Sequence, residues 1–460
     1  MRTLTVFDGV AVVVGIIVGS GIFSKPGKAL AALGSPGLAL TAWVVGGAVS
    51  LLGAFVFAEL GALRPAAGGV YAFLRDAYGA RAGFVFAAVG LFGFKPLSIA
   101  GIARVCGDHM VRASEPGASQ ATIDRVGPQA AALVILGLTA ANVLGNRSGA
   151  RVQNIFMLAK VLALGIVIFA VFATGAVQPE HFSQSIPRDP GRSDAVAWGA
   201  AMLAVLWAYD GWADLSYLNG EVKDPGRALP RIFIGGTLAV VGLYLAVNVA
   251  YLLAIPPDRL AASRTVAADA LQAAVGGYAP RIAALFIAIS TFGAVNGSIM
   301  SGARIFHAAG EDRLLPAFLT RVHPVRGTPE AALFVQGILA AALVLGANFD
   351  QLTDGFVLTT WMFFVPAAAS IFVFRRKMPD APRPFRAPFY PWTPLLFIAA
   401  AIVFLWLNAV DDLADLRRME SFGWFSSAGG GPGVFDLATA IALGAIVIAW
   451  LASFLVRRIR

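Results

Sequence analysis

The chain has 460 residues, of which 58% are hydrophobic and only 13% are charged, and its mean hydropathy is +0.75. This composition excludes a soluble protein and indicates a polytopic membrane protein. The formal charge of +9 would suggest a nucleic-acid partner in a soluble chain, so the placement of the basic residues has to be examined before that partner is considered.

Long apolar runs predict an all-α polytopic membrane protein with twelve transmembrane helices. The criterion is that about 20 apolar residues are needed to cross about 30 Å of hydrocarbon. The predicted limits are 6–30, 38–62, 83–109, 128–145, 153–176, 195–219, 231–254, 280–307, 330–347, 352–374, 391–410 and 434–457.

The basic residues are concentrated on one side of this predicted topology. With the N-terminus inside, the N-terminal tail and the alternate loops carry most of the Lys and Arg residues. The positive-inside rule therefore predicts that both termini are cytoplasmic. The basic excess follows from membrane topology, and we expect the lipid bilayer rather than a nucleic acid as the large partner.

The start of the chain and its single cysteine limit the alternatives further. Met1-Arg2-Thr3 before an apolar run could mimic a signal peptide, but the run lacks a small-residue cleavage site and leads into a further helix, so we predict a retained first span. Cys106 cannot form an intramolecular disulfide, and the sequence offers no thiolate cluster for zinc or iron–sulfur.

Gly19-Ser20-Gly21 interrupts the first predicted span at mid-depth. Unwound backbone inside a membrane must be buried in protein or line a watery cavity. A half-helix that begins at Ser20 or Gly21 would direct free N–H groups and the positive end of its dipole into such a cavity, where a carboxylate could bind. The alternative is that the glycines only allow two helices to pack closely.

Three ionisable residues follow in the second, third and fifth spans. Glu59 lies near the cytoplasmic end of its span, where it could reach Arg64 or water, or contact a substrate. Lys95 precedes Pro96, which frees backbone carbonyls that could accept from its ammonium. Lys160 lies about two turns inside its span, where it either extends back to the cytoplasmic surface or fixes a positive charge where a sodium ion would otherwise bind.

The sixth span carries a second interruption, at Asp210-Gly211. Asp210 is the only carboxylate that the sequence places at the centre of a predicted helix. Isolated charges at this depth are costly and are often functional. Asp210 is therefore either a substrate-site residue or a partner for another internal group such as Lys95 or Lys160.

The two interruptions suggest a duplicated architecture. Gly211 follows Gly21 by 190 residues, and a similar offset relates the second span to the seventh and the third to the eighth. We predict two five-helix repeats of opposite orientation, 1–176 and 195–374, with helices 1 and 6 broken and helices 11 and 12 added over 391–457. Paired glycine interruptions in inverted halves indicate a midplane substrate site in a secondary transporter.

Other classes of membrane protein find little support in the sequence. A channel would need a filter repeat or a ring of pore-lining charges, and neither pattern is present. The histidines lie at span ends or in loops and form no metal or nucleophilic cluster, so we predict neither an enzyme nor a cofactor: His109, His181, His307 and His323.

Taken together, the motifs resemble those of amino acid–polyamine–organocation permeases, and most of all the L-type amino acid transporter branch with its bacterial exchangers. The resemblance covers essentially the whole chain in the right order. The motifs are Gly19-Ser20-Gly21-Ile22-Phe23; Glu59-Leu60-Gly61 to Pro65 with Gly68-Gly69-x-Tyr71; Gln153-Asn154 to Lys160; Ala208-Tyr209-x-Gly211-Trp212 with Glu221-Val222-Lys223-Asp224-Pro225; and Arg375-Arg376-Lys377-x-Pro379 with Arg383-Pro384-Phe385.

The resemblance implies a substrate site between the two interruptions. Backbone N–H groups near Ser20 would bind the α-carboxylate of an amino acid, and carbonyls near Ala208 would bind its α-ammonium. Lys160, with Asn296 on the eighth span, would replace a sodium ion. The implied substrate-site residues are Ile17, Gly19, Ser20, Gly21, Ile22, Trp207, Ala208, Tyr209, Asp210, Gly211 and Ser298.

The implied activity is alternating-access transport of L-amino acids in a bacterial inner membrane, either sodium-independent exchange of neutral amino acids or proton-coupled uptake. A carrier of cationic amino acids or polyamines is the alternative. Trp207, where related proteins often have Phe, leaves the substrate size open. The sequence also leaves open the oligomeric state and any accessory subunit.

Overall fold

The computed structural model describes residues 2, 4–65, 68–144, 149–324 and 328–422, with backbone alone at 149–153, 320 and 411–422. Within these ranges the regular structure is helical apart from one β-bridge between Leu4 and Val222. The predicted span 434–457 lies outside the described residues.

The first half of the described chain contains nine α-helices. They are α1 (Val6–Ile17), α2 (Gly21–Ser24), α3 (Pro26–Leu33), α4 (Pro36–Leu63), α5 (Val70–Tyr78), α6 (Ala80–Val89), α7 (Lys95–Ser114), α8 (Gln120–Leu144) and α9 (Gly149–Ala173).

Eight more α-helices follow, and α10 leads into a 3₁₀ segment, Trp212–Glu221. They are α10 (Asp194–Tyr209), α11 (Pro225–Ala254), α12 (Pro257–Ala262), α13 (Val266–Val275), α14 (Ala279–Glu311), α15 (Glu330–Gly346), α16 (Phe349–Lys377) and α17 (Trp392–Phe422).

Nine helical stretches in the described ranges are long and apolar enough to cross a membrane, and they correspond to predicted spans 1–5, 7, 8, 10 and 11. Predicted span 6 is the 16-residue α10 with the 3₁₀ segment after it, and predicted span 9 is the 17-residue α15. Large apolar side chains such as Leu133 and Phe169 are more than two-thirds exposed, as expected for a surface that faces lipid. The protein is an all-helical integral membrane protein, and the total of twelve spans stays a prediction.

Glu59 has a structural partner that differs from the predicted one. Its carboxylate is 1% exposed and accepts two hydrogen bonds from Arg375, at 2.9 and 2.8 Å, and one from the N–H of Ala387 at 2.6 Å. Arg64 instead pairs with Asp76. The prediction that Glu59 reaches Arg64 or water is therefore wrong. Glu59 joins α4 to the end of α16 and the loop after it.

Aromatic side chains pack beside both helix breaks. Tyr209, the last residue of α10, packs against Trp43 of α4 and Tyr244 of α11, with ring centroids 5.6 and 5.2 Å apart. The Tyr244 hydroxyl donates to the carbonyl of Ile17 at 2.8 Å, which satisfies a carbonyl at the end of α1. This packing fixes the two breaks against α4 and α11.

Candidate functional site

The first break separates α1 from α2 as the sequence predicts. α1 ends at Ile17 and α2 begins at Gly21, and the three residues between them are not helical. The first N–H groups of a helix have no partner within it, and the positive end of the helix dipole lies there. The start of α2 can therefore bind a carboxylate through its backbone.

The second break follows α10. Asp210 has extended backbone, and Gly211 has a φ of 119°, a left-handed value that favours glycine. A Cβ at Gly211 would also lie 2.8 Å from Cγ2 of Ile16. Any residue with a side chain would therefore be strained here, by its backbone conformation and by the clash with Ile16. The last carbonyls of α10 lie at the negative end of its dipole and can bind an ammonium group.

The structure brings the two breaks into direct contact. A Cβ on Gly21 would lie 2.4 Å from Cα of Ala208, so the backbones of α2 and α10 touch at this point. The indole Nε1 of Trp207 donates to the Ser20 hydroxyl at 3.2 Å, which joins the two breaks through side chains as well. The N-terminal end of α2 and the C-terminal end of α10 thus lie side by side.

A small cavity of about 20 Å³, the central cavity, lies between the breaks. It has space for about one water molecule. Its lining includes six of the predicted substrate-site residues: Ile17, Gly19, Ser20, Gly21, Trp207 and Asp210.

The other predicted substrate-site residues lie next to this cavity. Ile22, Ala208 and Tyr209 are buried behind it, and Tyr209 directs its ring toward α4 rather than into the site. Gly211 follows Asp210, and the Ser298 hydroxyl lies 3.5 Å from that of Ser98, which lines the cavity.

Sequence reasoning missed Ile16, Ser98, Ile102 and Asp214, which also line the central cavity. Ser98 and Ile102 lie three and seven residues after Lys95, so all three share one face of a helix, and this spacing could have revealed them. Asp214 had no such signal, because a 3₁₀ segment rather than an α-helix brings it to the site.

Lys95 has a carboxylate partner. Its ammonium lies 2.8 and 3.0 Å from the two carboxylate oxygens of Asp214 and 3.4 Å from the Ser301 hydroxyl. Both predicted alternatives, carbonyls freed by Pro96 and pairing with Asp210, are wrong. A π-helical turn, Gly90–Phe94, immediately precedes Lys95, and such turns often mark functional positions in a helix.

Asp210 keeps its carboxylate free of ion pairs within the described ranges, although it lines the central cavity. Lys95 is already engaged by Asp214, and Lys160 lies elsewhere. The side of the cavity that contains Asp210 and Asp214 thus holds two carboxylates and one ammonium group. A cationic group or a proton at Asp210 would balance these charges.

Lys160 is fully buried, and its ammonium donates to the carbonyl of Gly15 at 2.6 Å. It therefore does not extend to the surface. Gly15 lies in the last turn of α1, so the positive charge stands at the negative end of that helix, just before the first break. Asn296 is not part of this contact, because its side chain accepts from Asn142 of α8 at 2.7 Å.

Comparisons with known proteins identify a family and several relatives of this chain. A family model described as "Amino acid permease" matches residues 4–415. The serine/threonine exchanger SteT of Bacillus subtilis is 31% identical over 87% of this chain and 89% of its own length. The b(0,+)-type amino acid transporter 1 of mouse is 32% identical, and the large neutral amino acids transporter small subunit 2 of human is 33% identical, each over 87% of this chain and over 81% and 75% of their own lengths.

These matches confirm the resemblance stated from the motifs, and they support amino acid transport rather than an enzymatic reaction. The family match spans both helix breaks, the central cavity and the buried lysines. The chain belongs to the amino acid permease family of the amino acid–polyamine–organocation superfamily.

Proposed function

We propose that the protein exchanges neutral L-amino acids across the membrane by alternating access, without sodium. The observation that carries this proposal is the contact between Gly21 and Ala208, which places a helix start beside a helix end. An α-amino acid carries a carboxylate and an ammonium group on adjacent atoms. Two opposite helix dipoles side by side match that pair of charges.

In this proposal the substrate's carboxylate accepts hydrogen bonds from the backbone N–H groups of Gly21 and Ile22. The Ser20 hydroxyl, which now accepts from Trp207, lies beside that position. The ammonium group donates to carbonyls at the end of α10. The central cavity of about 20 Å³ is smaller than an amino acid, so binding requires Trp207 or a neighbouring element to move.

The wider architecture of the proposal has twelve spans, with two inverted five-helix repeats over 1–176 and 195–374 and two further helices over 391–457. The two breaks and the nine apolar helical stretches found within the described ranges support it. Both termini are placed in the cytoplasm because most basic residues lie in the loops on that side. The relative in Bacillus subtilis supports a bacterial inner membrane.

The decisive experiment is counterflow in proteoliposomes that contain the purified protein. Liposomes loaded with one unlabelled amino acid are tested against each labelled common amino acid, with and without sodium and with and without a pH gradient. We expect neutral amino acids to exchange in the absence of sodium. Uptake without any internal amino acid, driven by the pH gradient, would instead establish proton-coupled transport.

Lys160 gives a separate prediction for the sodium-free mechanism. Lys160→Ala removes the charge that bonds to Gly15, an interaction worth about 2 kcal/mol. We therefore expect counterflow to fall at least about tenfold, with the size-exclusion profile unchanged. Lys223→Ala, which removes an exposed lysine, is the matched control. A strict sodium requirement in the wild-type protein would refute the idea that Lys160 replaces sodium.

A second candidate function is the transport of cationic amino acids or polyamines. It is favoured by Asp210, whose carboxylate lines the central cavity with no ion-pair partner in the described part of the chain. We expect Asp210→Asn to reduce exchange of lysine and arginine at least about tenfold, with little effect on neutral substrates, if cations are carried. An unchanged substrate range and pH profile in this variant would remove Asp210 from the site.

A further inference from the structure

A buried lysine connects the part of the first span that follows the break, α2 and α3, to α16. Lys25 lies between α2 and α3 and is 1% exposed. Its ammonium donates to the Thr353 hydroxyl at 2.8 Å and lies 3.2 Å from a carboxylate oxygen of Asp350 and 3.5 Å from one of Asp354. Its ammonium also lies 4.8 Å from the centroid of the Phe349 ring. All four partners belong to the first two turns of α16.

The charges of this cluster balance. Lys28, one turn after Lys25, pairs with the other carboxylate oxygen of Asp350 but remains 46% exposed. Two ammonium groups therefore face two carboxylates, with Lys25 and Asp354 on the buried side of the cluster. Removing one member of a buried pair leaves an uncompensated charge, whereas removing an exposed one has a small effect.

The cluster adjoins the transport site through short connections. Lys25 directly follows α2, the half-helix that would bind the substrate's carboxylate. Phe349 and Phe356, on the same turns of α16 as the carboxylates, pack against the Trp207 ring with centroids 6.3 and 5.3 Å apart. Because Lys25 continues the backbone of α2, a movement of α2 toward a bound carboxylate would displace Lys25 as well.

Two larger cavities lie beyond this layer. They measure about 350 and 380 Å³, and Lys28 lines both of them. The first also contacts Lys25 and Asp354, and the second contacts Phe349 and Asp350. Neither shares a lining residue with the central cavity, so the ion-paired layer and the aromatic contacts separate the transport site from these cavities.

We propose that Lys25 is a positioning residue that closes the transport site on the outer face, by inserting its ammonium between Asp350 and Asp354 of α16. Here the outer face is the face opposite the one at which α1 begins. The inference rests on the proposed alternating-access function. In this proposal, opening toward the outside moves Lys25 away from α16, and this movement exposes Lys25 and Asp354 further to water, which solvates their charges.

Replacing Lys25 therefore destabilises the closed conformation more than the outward-open conformation. In Lys25→Met the partly buried Asp354 carboxylate has no ammonium partner in the closed state, but it is more fully hydrated in the open state. The equilibrium shifts toward the outward-open conformation. A larger outward-open population raises the apparent affinity for external substrate, and slower closure reduces the exchange rate.

The test measures how accessible the central cavity is from outside. Cys106 is the single cysteine and is buried, so Cys106→Ala gives a cysteine-free background. Ile102→Cys, on the lining of the central cavity, then provides one reporter thiol. A charged, membrane-impermeant thiol reagent is added to right-side-out vesicles. We expect Lys25→Met to speed labelling at least about tenfold and to lower the external half-saturation concentration.

Lys28→Met is the matched control, because it removes an exposed lysine that contacts the same Asp350, and we expect it to change labelling less than about twofold. Asp354→Asn is the independent second variant and should also speed labelling, so the proposal stays testable if Lys25→Met does not fold. Unchanged labelling in the folded variants, with normal wild-type counterflow, would overturn the closure role alone. Failure of wild-type counterflow with every amino acid would instead refute the proposed function.

Discussion

Gly21→Val is expected to weaken amino acid exchange strongly while leaving the protein able to fold. A Cβ at this position would lie 2.4 Å from Cα and 2.7 Å from Cβ of Ala208. The first obstructing atom belongs to a helix backbone rather than to the end of a flexible side chain. Relief of the clash therefore requires α2 to separate from α10, which pulls apart the two helix ends that would bind the carboxylate and the ammonium group.

The size of the effect follows from the strain. Overpacking a well-packed contact costs about 1–3 kcal/mol, which corresponds to roughly 5- to 150-fold weaker binding if the strain falls on the bound state. Counterflow and equilibrium binding of the labelled substrate measure this loss directly. Gly242→Val is the control, because Gly242 lies in the middle of α11 and an added Cβ there would meet nothing within 4 Å. Wild-type affinity in Gly21→Val would refute the proposed backbone site.

The two helix breaks could be predicted from the sequence because each violates the local pattern. Gly19-Ser20-Gly21 and Asp210-Gly211 place glycine and polar groups inside otherwise apolar runs, and such conflicts with the membrane environment are readable without a structure. The depth of Lys160 was readable for the same reason. Its acceptor was not, because Gly15 contributes only a carbonyl, which every residue carries.

The partners of the other buried charges could not be predicted, because they are distant in sequence. Lys95 pairs with Asp214, 119 residues later, and Glu59 pairs with Arg375, 316 residues later. Hydrophobic periodicity identifies which face of a helix is buried but not which helix it meets. Asp214 was harder still to recognise, because the sequence after Asp210 has the polar composition of a segment that leaves the membrane. In the structure this segment forms a 3₁₀ helix that places Asp214 against the central cavity.

We expect a second large loss of stability and transport when the ion pair between Lys95 and Asp214 is broken. The pair joins α7 to the 3₁₀ segment after the second break, and Ser301 of α14 donates to the same carboxylate at 2.9 Å. Lys95→Met leaves a buried carboxylate without a counter-ion, and Asp214→Leu leaves a buried ammonium group. Each single variant should lose about 3–5 kcal/mol of stability, seen as a lower unfolding temperature in detergent and as lost counterflow.

The double variant Lys95→Met/Asp214→Leu separates stability from transport. Replacing both members of a buried ion pair by apolar side chains of similar volume is often neutral or stabilising, so the unfolding temperature should return close to that of the wild type. We expect counterflow to stay low, because Asp214 lines the central cavity and its carboxylate connects the second break to α14. Full recovery of both stability and counterflow would show instead that the pair only holds the helices together.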